Sequence, residues 1–319
     1  MVKKHRSATA RMYGRIGIRW LKTIGKHRVY VLTAAFLWGC TGVYFIELTA
    51  RGFESIQIVL IRTSIAMIGF GLWLLFTNRE AFRIRLKDIW CFLGTGVVSL
   101  LSFNWFFFRA IDEVGLAIAG VLLYTAPAVV TVLSAILFKE KLKRLGWGIL
   151  CMVVFGCALV SGIIGSLSGI NFSGILFGLG SGFGYALYSI FSRYALQRGY
   201  SPQTISFYTF TFCTLACLPF ALSLGVNPAL FVYDPAVWLY SLGLGILGCL
   251  FPYWLYTKGL SGLTGATASM TATLEPIVAV LFGVFLYREA LMVWQVVGIV
   301  LVLGGIILLT KTSSTKQSL

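Results

Sequence analysis

The sequence predicts an all-α integral membrane protein, with ten transmembrane helices arranged as two inverted five-helix repeats around a central cavity. Three observations carry that expectation. Of the 319 residues 58% are hydrophobic and only 11% are charged, with a mean hydropathy of +0.89, whereas about a quarter of a soluble domain is charged. Apolar runs of about 20 residues, the length that crosses a hydrocarbon core, recur along the whole chain. The chain also repeats itself. A shift of 149 positions lays Trp105 on Trp254, Ala117 on Ala266, Pro127 on Pro276, Leu137 on Leu286, Lys139 on Arg288 and Glu140 on Glu289, and a repeat of this kind decides the architecture.

Residues 1–28 carry nine basic side chains and no acidic one. Arg11, Arg15, Arg19, Lys22 and Lys26 face away from Met12, Ile16, Trp20 and Ile24 at helical spacing, so this tail is either an amphipathic surface helix or an unstructured arm. The spans follow at about 29–48, 55–76, 88–108, 115–138 and 143–163 for the first repeat (29–163). The second repeat (173–310) holds 173–196, 201–223, 236–257, 264–287 and 292–310, and leaves a short tail at 311–319. Helix 6 carries Gly174, Gly178 and Gly182 at four-residue spacing, which lets a neighbouring backbone approach closely.

Basic residues set the orientation. With the N-terminus inside, the inside segments hold 22 Lys and Arg and the outside segments hold Arg51, Arg109 and Arg288. Both termini are therefore expected in the cytoplasm. Because five helices is an odd number, the two repeats must cross the membrane in opposite senses, as in secondary transporters with a midplane site.

The formal charge of +16 is borne at helix ends, so it reads as membrane orientation, and no nucleic-acid partner is expected. The seven cysteines lie in apolar runs without a C-x-x-C pair, which implies neither a disulfide framework nor a metal site. The spans contain no His, no G-x-S-x-G and no H-E-x-x-H, so the expectation is no enzyme and no cofactor.

Candidate chemistry centres on Glu275, inside the apolar run 264–287. A carboxylate there costs about 2.5–3.5 kcal/mol on insertion scales and is by default functional. Its repeat partner is Ala126, so the acid belongs to one half only. It is a site for a substrate ammonium or a proton, or else a neutral acid hydrogen-bonded to a neighbouring helix. Pro127 and Pro276 are expected to kink helices 4 and 9 on both sides of a cavity. Cavity-lining candidates are Trp38, Thr41 and Tyr44 in helix 1, Asn104 and Trp105 in helix 3, and Tyr124 and Thr125 in helix 4. Further along they are Tyr185 and Tyr188 in helix 6, Tyr253 and Trp254 in helix 8, and Thr271 in helix 9. Trp105 and Trp254, at opposite ends, are candidates for opposing gates. Arg62 is expected to stretch toward the outer interface, and Glu140 and Glu289 to sit at the starts of helices 5 and 10, favoured by the helix dipole.

These residues resemble the drug/metabolite transporter superfamily, specifically its ten-helix EamA-type exporters. The resemblance rests on Trp38-Gly39, Arg62, Pro127 followed by Lys139-Glu140-Lys141-Leu142, and Glu275-Pro276 followed by Arg288-Glu289, and it covers about residues 29–310. It implies a basket of helices 1, 3, 4, 6, 8 and 9 around a cavity, exporting amino acids, related metabolites or drugs. Tyr185 stands where many relatives carry Trp. The resulting expectation is an exporter of amino acids or similar amphipathic metabolites in the inner (plasma) membrane, working by alternating access. Its partners would be the small-molecule substrate, the lipid bilayer and protons. The rival is a proton-coupled exporter of lipophilic cations.

Overall fold

A computed structural model describes residues 25–140, 142–162, 171–225, 231, 233–288 and 290–315. Most of the basic tail, Lys141 and Glu289 therefore lie outside the described residues. Among the described residues regular structure is helical throughout, and each expected span has a helical counterpart.

The first helices are α1 (Gly25–Ala50) and α2 (Ser55–Thr77), followed by α3 (89–114) and α4 (116–138), then α5 (Arg144–Val160). The later ones are α6 (Phe172–Gln197), α7 (Pro202–Ser223), α8 (Pro235–Leu260), α9 (Gly265–Tyr287) and α10 (Val293–Thr315). Six of these, α1, α2 and α6 to α9, are each long and apolar enough to cross a bilayer. Helical hydrogen bonding runs on from α3 into α4, and the two part at Gly115, whose φ of 79° and ψ of 163° leave helical geometry. Only glycine takes that backbone without strain.

Apolar composition explains the helices themselves, since inside a bilayer every backbone N–H and C=O must bond within its own segment. Their breaks are equally local. Pro127 and Pro276 have no N–H to donate, and α4 and α9 are interrupted just ahead of them, at Tyr124–Thr125 and at Thr273. The part of α4 after its break, Ala126–Phe138, is bent by 43° from the run Leu86–Leu123 that precedes it. Thr125 and Thr273 each turn a hydroxyl back onto a carbonyl one turn earlier, Leu122 and Met270, both at 2.6 Å. Two further pairs of features recur in the two repeats. Wide π-helical turns occupy Gly94–Leu101 in α3 and Ile246–Leu250 in α8. Lys139 and Arg288 end α4 and α9 in the left-handed region, at φ 56° and 55°.

The chain ends share one face of the bundle. His27 at the start of α1 lies 2.8 Å from the Lys258 carbonyl at the end of α8, and Arg28 donates to the Leu309 carbonyl in α10. This face is called the terminal face below. On the opposite face Arg51, just after α1, pairs at 2.9 Å with Asp234, which caps α8. On the terminal face Arg198, just after α6, pairs at 3.0 Å with Asp88, just before α3. The glycine face of α6 lies on α3 and α4. A methyl built on Gly182 would meet the Leu122 and Leu123 carbonyls at 2.8 and 3.1 Å, so α6 touches the break in α4 backbone to backbone.

Candidate functional site

At the centre of the bundle, α1, α3, α6 and α8 present one ring of aromatic and hydroxyl side chains. Trp38 of α1 is almost fully buried and meets Tyr253 and Tyr256 of α8, with centroids 5.2 and 5.4 Å apart, and Tyr185 of α6 at 6.3 Å. Tyr188 lies edge-on to Tyr253 at 5.1 Å, and Phe103 of α3 edge-on to Tyr185 at 5.5 Å. These are the edge-to-face arrangements that ring quadrupoles favour.

The hydroxyls are tied down in the same ring. Tyr188 and Thr257 share a hydrogen bond of 2.8 Å, Ser189 and Tyr256 one of 2.7 Å, and Ser99 donates to the Gly184 carbonyl at 2.7 Å. The rings enclose a narrow crevice lined by Trp38, Ser99, Leu100, Phe103, Tyr185, Tyr188, Ser189, Tyr253 and Tyr256, with room for about one water-sized sphere.

Glu275 stands at the rim of this ring. It follows directly on the break at Thr273, where α9 restarts, and its Oε2 accepts a 3.3 Å hydrogen bond from the Tyr185 hydroxyl. Tyr124, at the break in α4, packs on the cluster that holds Cys157 of α5 and Ile277, two residues beyond Glu275 in α9. The two interrupted helices thus meet beside the buried acid Glu275. Gly39 of α1 closes the arrangement from the other side, because a methyl there would sit 2.8 Å from the Glu275 carbonyl and 2.5 Å from Val278 Cβ.

Of the residues singled out in the sequence, the structure brings Trp38, Tyr185, Tyr188, Tyr253 and Glu275 together, with Tyr124 beside them. Others lie elsewhere. Trp105 is half exposed and packs on Phe106 and Phe177. It lies two residues beyond Phe103, about 200° round the helix from that crevice residue. Trp254 turns toward α2, edge-on to Trp73 at 4.9 Å and under the Lys258 ammonium at 4.4 Å. Neither tryptophan reaches the crevice, so the structure does not bring this pair into the central site. Tyr44 packs with the cluster of Leu48, Phe53 and Leu244 near the opposite face. Thr41 and Thr271 spend their hydroxyls on their own helices, on the carbonyls of Trp38 and Thr267.

Asn104 is buried, but in a separate polar pair. It donates to the Leu100 carbonyl at 2.6 Å and accepts from the Arg62 guanidinium. The expectation that Arg62 reaches for the outer interface is therefore corrected, since it turns inward to an amide on α3. Its Nε is buried without a hydrogen-bond partner. Glu140 likewise departs from the helix-start reading. It pairs with Arg193 of α6 and accepts at 3.2 Å from the Gly265 N–H at the start of α9, so it ties the end of α4 to two other helices on the terminal face. Arg193 also donates to the Leu263 carbonyl at 3.3 Å.

Ser99, Phe103, Ser189 and Tyr256 line the crevice and were not anticipated. A signal was present. Tyr256 follows Tyr253 by three, Ser189 follows Tyr185 by four, and Phe103 follows Ser99 by four, the spacings that share one helix face.

A bundle of apolar, proline-broken helices around a buried acid and an aromatic crevice defines a multi-pass membrane protein of the transporter class. The chain belongs to the EamA-like transporter family, whose model matches it twice, over residues 27–162 and 172–311. Among curated relatives it is similar to the uncharacterized transporter YwfM of Bacillus subtilis (strain 168), 26% identical over 296 residues, covering 92% of this chain and 96% of that protein. An uncharacterized transporter of Archaeoglobus fulgidus is 27% identical, with 91% and 98% covered, and the uncharacterized inner membrane transporter YicL of Salmonella typhimurium is 25% identical, with 91% and 97% covered. A solved crystal structure shares the fold with a TM-score of 0.74 at 16% identity, over 92% of this chain and 99% of its own.

Proposed function

We propose that this transporter exports small amphipathic metabolites, amino acids foremost, by alternating access between two five-helix halves of opposite sense. The terminal face is then the cytoplasmic one, in the inner (plasma) membrane, as the basic residues of the tail and of 77–87 require. The observation that carries the reading is Glu275. It is the acid at which two interrupted helices and an aromatic ring converge, and a substrate ammonium needs one such counter-charge inside apolar walls. Trp38, Tyr185, Tyr188 and Tyr253 supply walls whose ring faces attract a cation. In the conformation described here the crevice is too narrow for an amino acid, so binding requires the rings of α1, α6 and α8 to part. The breaks at Thr125 and Thr273 let the two parts of α4 and α9 move separately.

A second reading shares the site. The same acid within the same ring would serve a lipophilic cation exchanged for a proton, Glu275 holding one or the other. Uptake of labelled amino acids and organic cations into liposomes of the purified protein, with and without an imposed pH gradient, separates the two. Amino-acid flux indifferent to the gradient supports the first, and gradient-driven cation flux the second. If Glu275→Gln left rate and affinity unchanged for every transported compound, both readings would fall.

A further inference from the structure

The terminal face carries a second, quite different cavity. The segment between α2 and α3 folds over the α6–α7 turn and is pinned there. Tyr208 donates to the Phe82 carbonyl at 2.5 Å, Thr204 to the Ala81 carbonyl at 3.1 Å, and the Tyr200 hydroxyl accepts from the Arg85 N–H at 3.0 Å. Between segment and turn lies a cleft of about 370 Å3, whose walls include Asn78, Glu80, Arg83, Arg85, Arg198 and Ser201.

Its charge is unbalanced. Arg79, Arg83, Arg85, Lys87 and Arg198 lie in or beside it, against Glu80 and Asp88. Asp88 already takes three hydrogen bonds. Oδ1 takes the Arg198 Nε at 3.0 Å, while Oδ2 takes the Arg85 Nε at 2.8 Å and the Tyr200 hydroxyl at 2.8 Å. That carboxylate therefore orients two guanidiniums by their Nε edges; each gives one more N–H to a backbone carbonyl, Arg198 to Tyr194 at 3.0 Å and Arg85 to Arg198 at 3.4 Å, and keeps its remaining N–H groups for a ligand. Arg83 has no carboxylate partner among the described residues, and the N-terminus of α7 opens beside it with Ser201 as its cap. Three guanidiniums and a helix start suit a phosphate, which Arg can hold with paired hydrogen bonds.

The depth of the cleft identifies the source of that phosphate. Trp90 is 39% exposed and stacks under the Arg198 guanidinium at 4.9 Å, and Leu86, on the same segment, is 83% exposed. An outward Trp beside arginines, next to an uncovered Leu, is the pattern of a membrane–water boundary. The cleft thus opens at headgroup level, where anionic lipid is concentrated and attracts clustered Lys and Arg.

We infer that this cleft binds the phosphate headgroup of an anionic phospholipid, at a site separate from the transport crevice. The site is built from Arg83, Arg85 and Arg198. Arg83 is the residue to test, because Arg85 and Arg198 also hold Asp88.

The purified protein is titrated with phosphatidylglycerol in mixed micelles. Retained lipid is counted by native mass spectrometry, and the thermal midpoint is followed in parallel. Phosphatidylcholine and inorganic phosphate serve as the other ligands, and Arg79→Gln, which removes an equal charge outside the cleft walls, is compared with Arg83→Gln. The expected result is retention of phosphatidylglycerol over phosphatidylcholine, with affinity about 5-fold lower in Arg83→Gln and changed less than about 2-fold in Arg79→Gln. Equal losses in the two variants would mean general attraction to a basic surface and would overturn the site. So would saturation of the same midpoint shift by inorganic phosphate, which would make free phosphate the occupant, or failure to retain either lipid.

Discussion

Gly39 and Gly42 lie three residues apart on α1, and the structure predicts that the same substitution at each has opposite effects. A methyl at Gly39 would lie 2.5 Å from Val278 Cβ, 2.7 Å from its Cγ1 and 2.8 Å from the Glu275 carbonyl, whereas a methyl at Gly42 meets nothing within 4 Å. Ordinary contact begins near 3.4 Å. Gly39→Ala must therefore push α1 from α9 by about 1 Å, an overpacking that costs about 1–3 kcal/mol. The carbonyl is backbone at the start of a helix, so trimming Val278 alone relieves only part of the strain. At Gly42 only the helix propensity changes, and Ala gains about 0.5–1 kcal/mol over Gly. At about 2 °C per kcal/mol for a chain of this length, thermal unfolding in detergent should show Gly39→Ala about 2–6 °C below the parent and Gly42→Ala about 1–2 °C above it. Shifts of the same sign and size would mean that α1 is not seated on the break in α9, and the geometry around Glu275 would have to be abandoned.

Other expectations follow from single contacts. Asn104→Leu deprives the partly buried Arg62 guanidinium of its acceptor and should cost about 1.5–3 kcal/mol. The Arg62→Leu/Asn104→Leu double variant should lose less than the two single losses added, a cycle read by thermal unfolding and refuted by simple additivity. Glu140→Gln unties α4 from Arg193 and weakens the hold on the Gly265 N–H. A cysteine placed at buried Ser134, against Gly265, should then react about 5–30-fold faster with a water-soluble thiol reagent applied to the terminal face, in a background freed of native cysteines. An unchanged rate would show that this contact is no closure. On the opposite face the Arg51 guanidinium, with the Ala236 N–H, holds the Asp234 carboxyl below the ordinary carboxylate range. Because the folded value is the lower one, the charge stabilises the fold above the ordinary value near 4 and ceases to do so as pH falls through the folded value. Asp234→Asn, which keeps a capping oxygen, should melt below the parent at pH 7 and together with it in strong acid. A gap independent of pH would contradict the pairing.

What could be read in the sequence, and what could not, divides along physical lines. Apolar length and prolines act within a few residues of chain, so the helices and their breaks were legible, whereas the left-handed ends at Lys139 and Arg288 were not, because no glycine marks them. The meeting of Trp38, Tyr185, Tyr188 and Tyr253 was legible as a set because inward aromatics recur at helical spacing. Trp105 and Trp254 were not, since their direction depends on the rotation of α3 and α8, and each of those helices contains a wide turn that shifts the faces on either side. Arg62 found Asn104 42 positions away, and Glu140 found Gly265 125 positions away. Such choices are settled by helix packing and leave no trace in local pattern. The hydroxyl-bearing lining, Ser99 and Ser189, was missed because small polar residues on α-helices more often bond their own backbone.

The closeness of the rings around Trp38 also bears on electrical leakage. A membrane potential of 100 mV drives each elementary charge with about 2.3 kcal/mol, and any continuous thread of water through a helical bundle would let ions or protons run down it. Among Trp38, Tyr185, Tyr188 and Tyr253 there is room for about one water-sized sphere, too little for such a thread to pass between these rings. If the proposed transport site is the right one, the aromatic ring would also serve as the insulator that keeps the energised membrane from discharging through the protein.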